Sequence, residues 1–204
     1  MKVTKKPGVP DAYEAAFNEV LLRVQKQISG SNPGALPVKM YIAGGAALHL
    51  LTGERVTEDV DATFSKRVLF DDAIEVSYRD PDGRARLMYL DRNYNDTLGL
   101  LHEDAYADSQ PYDAPGIDKA LLEVWVLSPL DLAVSKLSRF SEADRGDIEL
   151  LARKDLLDST ALRKRAEHAL QGYIGNTGPV KASIDVACRL VESLVPKRHK
   201  SKLK

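Results

Sequence analysis

Asp59 and Asp61 stand one residue apart in "TEDVDATF", and thirteen residues separate them from the adjacent pair Gly44-Gly45 in "YIAGGAALHLLTG". On a strand the two aspartates project from one face with their Cα atoms roughly 7 Å apart. Like charges held at that spacing need compensation, which divalent cations supply. A pair of Mg²⁺ ions about 4 Å apart is the arrangement that clamps the attacking and leaving oxygens of phosphoryl transfer. An EF-hand loop is excluded, because its glycine and distant glutamate are missing. Gly-Gly between an apolar run and a helical one permits a sharp turn and close approach of a ligand to backbone N–H groups, and the helix N-terminus beyond it favours an anion such as phosphate. The glycines lack the Gly-Lys-Ser/Thr ending of a Walker loop and the spacing of a Rossmann fingerprint. Taken singly, each pattern also fits an ordinary reading: a turn for the glycines, a solvent-facing edge strand for the acids.

The elements around them follow from periodicity. Asp11 and Glu14 resemble a capping box, and Tyr13, Phe17, Val20, Leu21, Val24 and Ile28 then recur at helical spacing for about five turns. "SGSNPG" breaks the chain, "VKMYIA" reads as a buried strand, and "AALHLLTG" reads as a helix stopped by Gly53. "TEDVDATF" alternates, with Val60, Ala62 and Phe64 on one face and the two aspartates on the other. Lys66 onward reads as a short helix through Asp71 and Ala73, and "ARLMYLD" as a strand after the turn "RDPDGR". "GLLHEDAYADSQPYD" leads into "ALLEVWVLS", the most strand-like run. From Ser128 the chain reads as helical: one helix from Pro129 to about Phe140, then about Ala143 to Lys154, Thr160 to Tyr173, and a last one carrying Val180, Ile184, Ala187, Val191 and Leu194. The expected class is α+β, a small mixed β-sheet flanked by helices with a C-terminal helical half. The expected boundaries are 1–127, 128–196 and a basic tail, 197–204.

With 204 residues, 44% of them hydrophobic, and a net charge of -1, the chain has the composition of an ordinary soluble protein. No apolar run approaches the roughly 20 residues that span a bilayer, and "MKVTKKPGVP" has no apolar signal region, so a cytoplasmic location is expected. Cys188 is the only cysteine, which excludes an internal disulfide and a cysteine-rich zinc site; its place in a helical pattern points to a buried thiol. "PKRHKSKLK" has five Lys or Arg between Lys197 and Lys204, either a solvated end or a contact for nucleic acid.

Strand, Gly44-Gly45, helix, then Asp59-Val60-Asp61 on the next strand resembles the signature of the nucleotidyltransferase superfamily of the DNA polymerase β type. "RVTEDVD" matches the Arg-x-Thr-x-Asp-x-Asp variant of small bacterial members. The resemblance implies that Gly44, Gly45, Arg55 and Thr57 bind the nucleoside triphosphate and that Asp59 and Asp61 hold Mg²⁺. A second block, Val124 to Leu151, resembles the Ser-Pro-x-Asp-Leu, Lys-Leu, Arg and Asp-Ile pattern of bacterial nucleotidyltransferase-like proteins, including toxins of abortive-infection and toxin–antitoxin pairs. It implies that Lys136 contacts nucleotide phosphates and Asp147 completes the polar site. Read from the residues alone, Lys136 is equally a lysine snorkelling beside Leu132 and Phe140, with Arg139 and Asp144 either serving in its place or pairing at the surface.

The superfamily carries a third carboxylate on a later strand. Asp104 and Glu123 are the candidates here, Asp104 ranked first, with His102 beside it as a general base or a structural histidine. The implied activity is Mg²⁺-dependent transfer of a nucleoside monophosphate from an NTP, ATP among them, to an acceptor hydroxyl. The resemblance allows RNA, including tRNA 3′ ends in the toxin branch, and equally protein hydroxyls or small molecules such as aminoglycosides as acceptors; a toxin implies an antitoxin partner. The alternative is a nucleotide-binding or partner-binding protein that keeps the fold without turnover.

Overall fold

The computed structural model describes residues 11–30, 36–95 and 99–194. The basic tail at 197–204 and most of the "SGSNPG" breaker lie outside them. The described residues form two compact units: one from 11–30, 36–95 and 104–128, the other from 99–103 and 129–194.

The first unit opens with α1, Ala12–Gly30. Asp11 caps it, its Oδ1 accepting from Glu14 N at 2.8 Å. The stripe Tyr13, Ala16, Phe17, Val20, Leu21, Val24 and Ile28 is buried as the periodicity predicts. β1 (Val38–Ile42), α2 (Gly44–Thr52) and β2 (Asp59–Phe64) follow, then β3 (Glu75–Arg79), β4 (Ala85–Asp91), β5 (Gln110–Tyr112) and β6 (Leu122–Val126). The six strands lie in the order β3-β4-β2-β1-β6-β5. β1 runs antiparallel to β2 and parallel to β6, while β2 runs parallel to β4; β3–β4 and β5–β6 are antiparallel. The sheet is therefore mixed, as expected.

One sheet face is apolar. Val38, Met40, Ile42, Val60, Ala62, Val76, Met88, Leu90, Leu122, Val124 and Val126 are all buried; α1 packs against β3 and β4, and α2 against β2. The alternate residues, among them Tyr41, Asp59, Asp61, Thr63, Tyr89, Asp91, Glu123 and Trp125, share the other face. The two ladders of β2 divide it: Asp59, Val60 and Asp61 register with Tyr89, Leu90 and Asp91 of β4, whereas Ala62, Thr63 and Phe64 register with Ile42, Tyr41 and Met40 of β1.

The second unit is helical: α3 (Pro129–Ser135), α4 (Glu142–Arg153), α5 (Ser159–Ala169) and α6 (Thr177–Leu194). Its core contains Leu132, Val134, Leu137, Ile148, Leu151, Leu162, Val180, Ile184 and Val191. Cys188 is buried there, and burial pushes its thiol pKa up, which removes nucleophilic character.

Three expected helices are shorter or missing. No helix forms at Lys66–Ala73: Arg92 donates to the Phe70 carbonyl at 2.7 Å and Gln27 to that of Asp72 at 3.2 Å, so side chains take acceptors a helix would use. α3 stops at Ser135 instead of Phe140, because Lys136 N and Leu137 N turn back to Ala133 O and Val134 O, three residues away, and Phe140 adopts φ 47°. α5 stops at Ala169, where the same tightening joins Gly172 N to Ala169 O and Tyr173 N to Leu170 O. Among the described residues no helix is long and apolar enough to cross a membrane.

Candidate active site

Gly44 is where β1 hands over to α2. Its φ is +57°, a conformation that favours glycine, and a Cβ there would lie 1.8 Å from Asp61 Oδ2. The backbone at the start of α2 is thus pressed against the carboxylate. Gly45 is equally confined: a Cβ would sit 2.9 Å from Thr57 Cβ. The first intrahelical bond of α2 runs from Ala47 N to Ala43 O, so the N–H groups of Gly44, Gly45 and Ala46 precede it, and the Ala43 side chain supplies no cap. These donors and the helix dipole favour an anion at this end.

β2 brings the acids to the same place. Ala43 N donates to Asp61 O at 2.9 Å, tying the glycine turn to the strand. Thr57 Oγ1 donates to Asp59 Oδ1 and fixes that carboxylate. Asp59 and Asp61 share the polar face, with Val60 fully buried between them, as the alternation predicts. Arg55 precedes them, and its carbonyl oxygen lies 2.6 Å from His49 Nδ1.

A third acid stands beside this pair, and sequence reading passed over it. Asp91, the last residue of β4, registers with Asp61 on the adjacent parallel strand, so strands about 4.8 Å apart bring the two carboxylates to one face. Asp91 Oδ1 accepts from Asn93 N at 2.8 Å, which orients it. The charge is felt locally: the Tyr89 hydroxyl is held above its ordinary pKa first by Asp59, then by partial desolvation, and further by Asp91, Glu58 and Asp61. The two acids singled out from sequence do not register with Asp61 on the sheet. Asp104 is exposed in the turn that leads to β5 and sits on no strand of the sheet. Glu123 shares the polar face but registers with Lys39 of β1; two strand spacings sideways and four residues along put it roughly 16 Å from Asp61. It accepts from Trp125 Nε1 at 3.3 Å.

A family model described as "Nucleotidyltransferase of unknown function (DUF6036)" matches residues 19–178. The chain belongs to that family. Membership in the DUF6036 nucleotidyltransferases makes the protein a transferase of this general type, and the matched span includes the glycine turn, all three acids and the Val124–Leu151 block. No curated protein and no solved structure matches the chain.

In the second unit of this DUF6036 chain, Lys136 and Asp147 meet directly, Nζ to Oδ2 at 2.6 Å, and Asp144 Oδ1 lies 3.9 Å from the same Nζ. The Lys136 side chain is 8% exposed, so it does not snorkel; its charge is held between two acids. Asp144 is not a surface partner either. Fully buried, it accepts from Arg139 Nε and Nη2 at 2.8 and 2.7 Å and closes a capping box with Ser141 at the start of α4. Burial alone would raise its carboxyl, but hydrogen bonds from Arg139 and Ser141 outweigh it and hold the pKa at about 2. Arg165 grips buried Asp131 through two nitrogens at 2.7 and 3.0 Å, joining α5 to α3. His102 Nε2 packs against His168 Nδ1 with ring centroids 4.5 Å apart, so within this unit it has a histidine partner.

Asp144 gives the helical unit an acid-sensitive contact. A carboxyl depressed from 3.8 to about 2 contributes stability that is complete above about pH 4 and lost as pH falls towards 2. The contribution is about 2 kcal/mol. Thermal unfolding followed from pH 6 to pH 2 should show a steeper acid loss for the native chain than for Asp144→Asn; parallel curves would remove this assignment.

Proposed function

We propose that the protein transfers a nucleoside monophosphate from an NTP to an acceptor hydroxyl, with the triphosphate at the Gly44–Gly45 turn and Asp59, Asp61 and Asp91 as ligands of Mg²⁺. The observation that carries this reading is the juxtaposition at Asp61: Gly44 backbone on one side, too close for even a methyl group between them, and Asp91 in register on the other. The donors fit the ion, since three carboxylates offer only hard oxygen ligands. Bound there, Mg²⁺ would supply charge neutralisation for the transferring phosphoryl group.

The chain's own residues do the rest. The N–H groups of Gly44, Gly45 and Ala46 receive phosphate oxygens without displacing any helical bond. Thr57 Oγ1 donates to Asp59 Oδ1 and the backbone N–H of Asn93 to Asp91 Oδ1, so each carboxylate is anchored through one oxygen. The family match supports transferase chemistry in general. RNA, tRNA 3′ ends first, is the acceptor favoured by the basic residues Lys197–Lys204 and by the resemblance of the Val124–Leu151 block, with the chain acting as a toxin neutralised by an antitoxin. The test is incubation with each labelled NTP, Mg²⁺ and total RNA. Metal-dependent label on RNA, abolished by a chelator, is the expected result. Tight NTP binding with no transfer to RNA, protein or small molecules would favour the nucleotide-binding alternative.

A further inference from the structure

Where α1 begins and α2 ends, three side chains form a cluster that nucleotide transfer does not use. Asp11 caps α1, Glu14 lies in its first turn, and His49 is in the last turn of α2. One ligand atom from each lies within 4.8 Å of the other two. His49 is 3% exposed, and its Tyr13 neighbour, with ring centroids 4.0 Å apart, fixes the imidazole plane.

The tautomer follows from the hydrogen bonds. Nδ1 lies 2.6 Å from the Arg55 carbonyl, which can only accept, so Nδ1 carries a proton. In the neutral ring Nε2 is then a bare lone pair. It is buried, has no hydrogen-bond partner among the described residues, and points at Asp11 Oδ2 from 3.7 Å. A lone pair and a carboxylate oxygen facing each other repel unless a positive charge lies between them. A proton would make only a long contact, because a hydrogen bond closes at about 3.2 Å or less. A metal ion suits the spacing better: ligand atoms around a tetrahedral ion with bonds of about 2.1 Å stand about 3.4 Å apart. Side chains as exposed as Asp11, at 47%, adjust by that difference.

The supports match as well. A metal-bound histidine is commonly oriented by its other N–H donating to a backbone carbonyl, as Nδ1 does here. Asp11 is oriented too, because Oδ1 is spent on the Glu14 amide and Oδ2 is the oxygen left towards His49. We propose that Asp11, Glu14 and His49 bind a first-row divalent transition ion, Zn²⁺ being the best match to one imidazole and two carboxylates. The imidazole selects against Mg²⁺, which separates this site from the three aspartates. An ion here pins the first turn of α1 to the last turn of α2, the helix whose other end carries Gly44 and Gly45.

Co²⁺ titration followed by visible absorption tests it, in a chain carrying Asp59→Asn, Asp61→Asn and Asp91→Asn so that those acids do not contribute. One Co²⁺ per chain is expected, displaced by Zn²⁺ and not by excess Mg²⁺. Asp11→Asn retains an oxygen for the helix cap and so keeps α1 intact, yet it should weaken Co²⁺ binding by at least about tenfold, as should Glu14→Gln. His49→Gln should abolish the band. The proposal is overturned if no Co²⁺ binds, if binding is unaffected by Asp11→Asn and Glu14→Gln, or if the His49 ring proves doubly protonated by NMR and takes up no metal.

Discussion

Asp91→Asn should reduce nucleotide transfer by about 10²–10³-fold while leaving the melting temperature nearly unchanged, and Asp61→Asn should do the same; this is the range seen when one group stabilising a transition-state charge is removed. The substitution preserves shape. An amide oxygen at position 91 still accepts from Asn93 N, so the end of β4 keeps its local bond and loses only negative charge. Asp104→Asn, in an exposed turn with no place in the sheet, should leave transfer within about twofold of the native rate, the behaviour of an exposed surface change. Steady-state label incorporation, read beside thermal unfolding of each variant, separates these outcomes. Loss of activity in Asp104→Asn with full activity in Asp91→Asn would return the third acid to the position expected from sequence.

Lys136→Met should destabilise the helical unit by about 3–5 kcal/mol, the cost of leaving one partner of a buried pair without the other. Asp147 would then lose the cation 2.6 Å from its Oδ2, and Asp144 would lose a second positive charge at 3.9 Å while keeping Arg139. The double variant Lys136→Met/Asp147→Leu should recover most of that loss, because replacing both charges by apolar groups of similar volume removes the desolvation penalty along with the attraction. Denaturant unfolding of the two variants decides the matter. A Lys136→Met chain of native stability that no longer transfers nucleotide would instead favour the phosphate contact implied by resemblance.

The half of the site on β1, α2 and β2 was legible because its signals are local. Glycines at a strand end, a helix closed by Gly53 and strict alternation through Asp59, Val60 and Asp61 each depend on neighbours within a few residues, and the structure places them accordingly. Asp91 carried a local signal as well: in "ARLMYLD" Met88 and Leu90 face the core, so Tyr89 and Asp91 must face the other way. What no local pattern contains is that β4, rather than β3, lies beside β2, and in which register; that pairing skips a strand and is fixed by burying Met88, Leu90 and Val60 together. The ion pairs of Lys136 were not legible for a related reason. Helical spacing placed it at an apolar edge, but the acids that hold it come from α4, across a turn whose shape depends on Phe140 at positive φ.

The handover within β2 has a mechanical meaning. No residue of that strand registers with both neighbours, so the sheet is in effect two ribbons stitched along different halves of one thread, with Ala43 N to Asp61 O as the stitch nearest the change. Twisting one ribbon against the other strains a few bonds near Asp61 instead of a whole ladder. The distance from Asp61 to Asp91 is therefore set along one ribbon and the distance from Asp61 to the Gly44 turn along the other, so Asp61 is the residue at which the two halves of the site are joined.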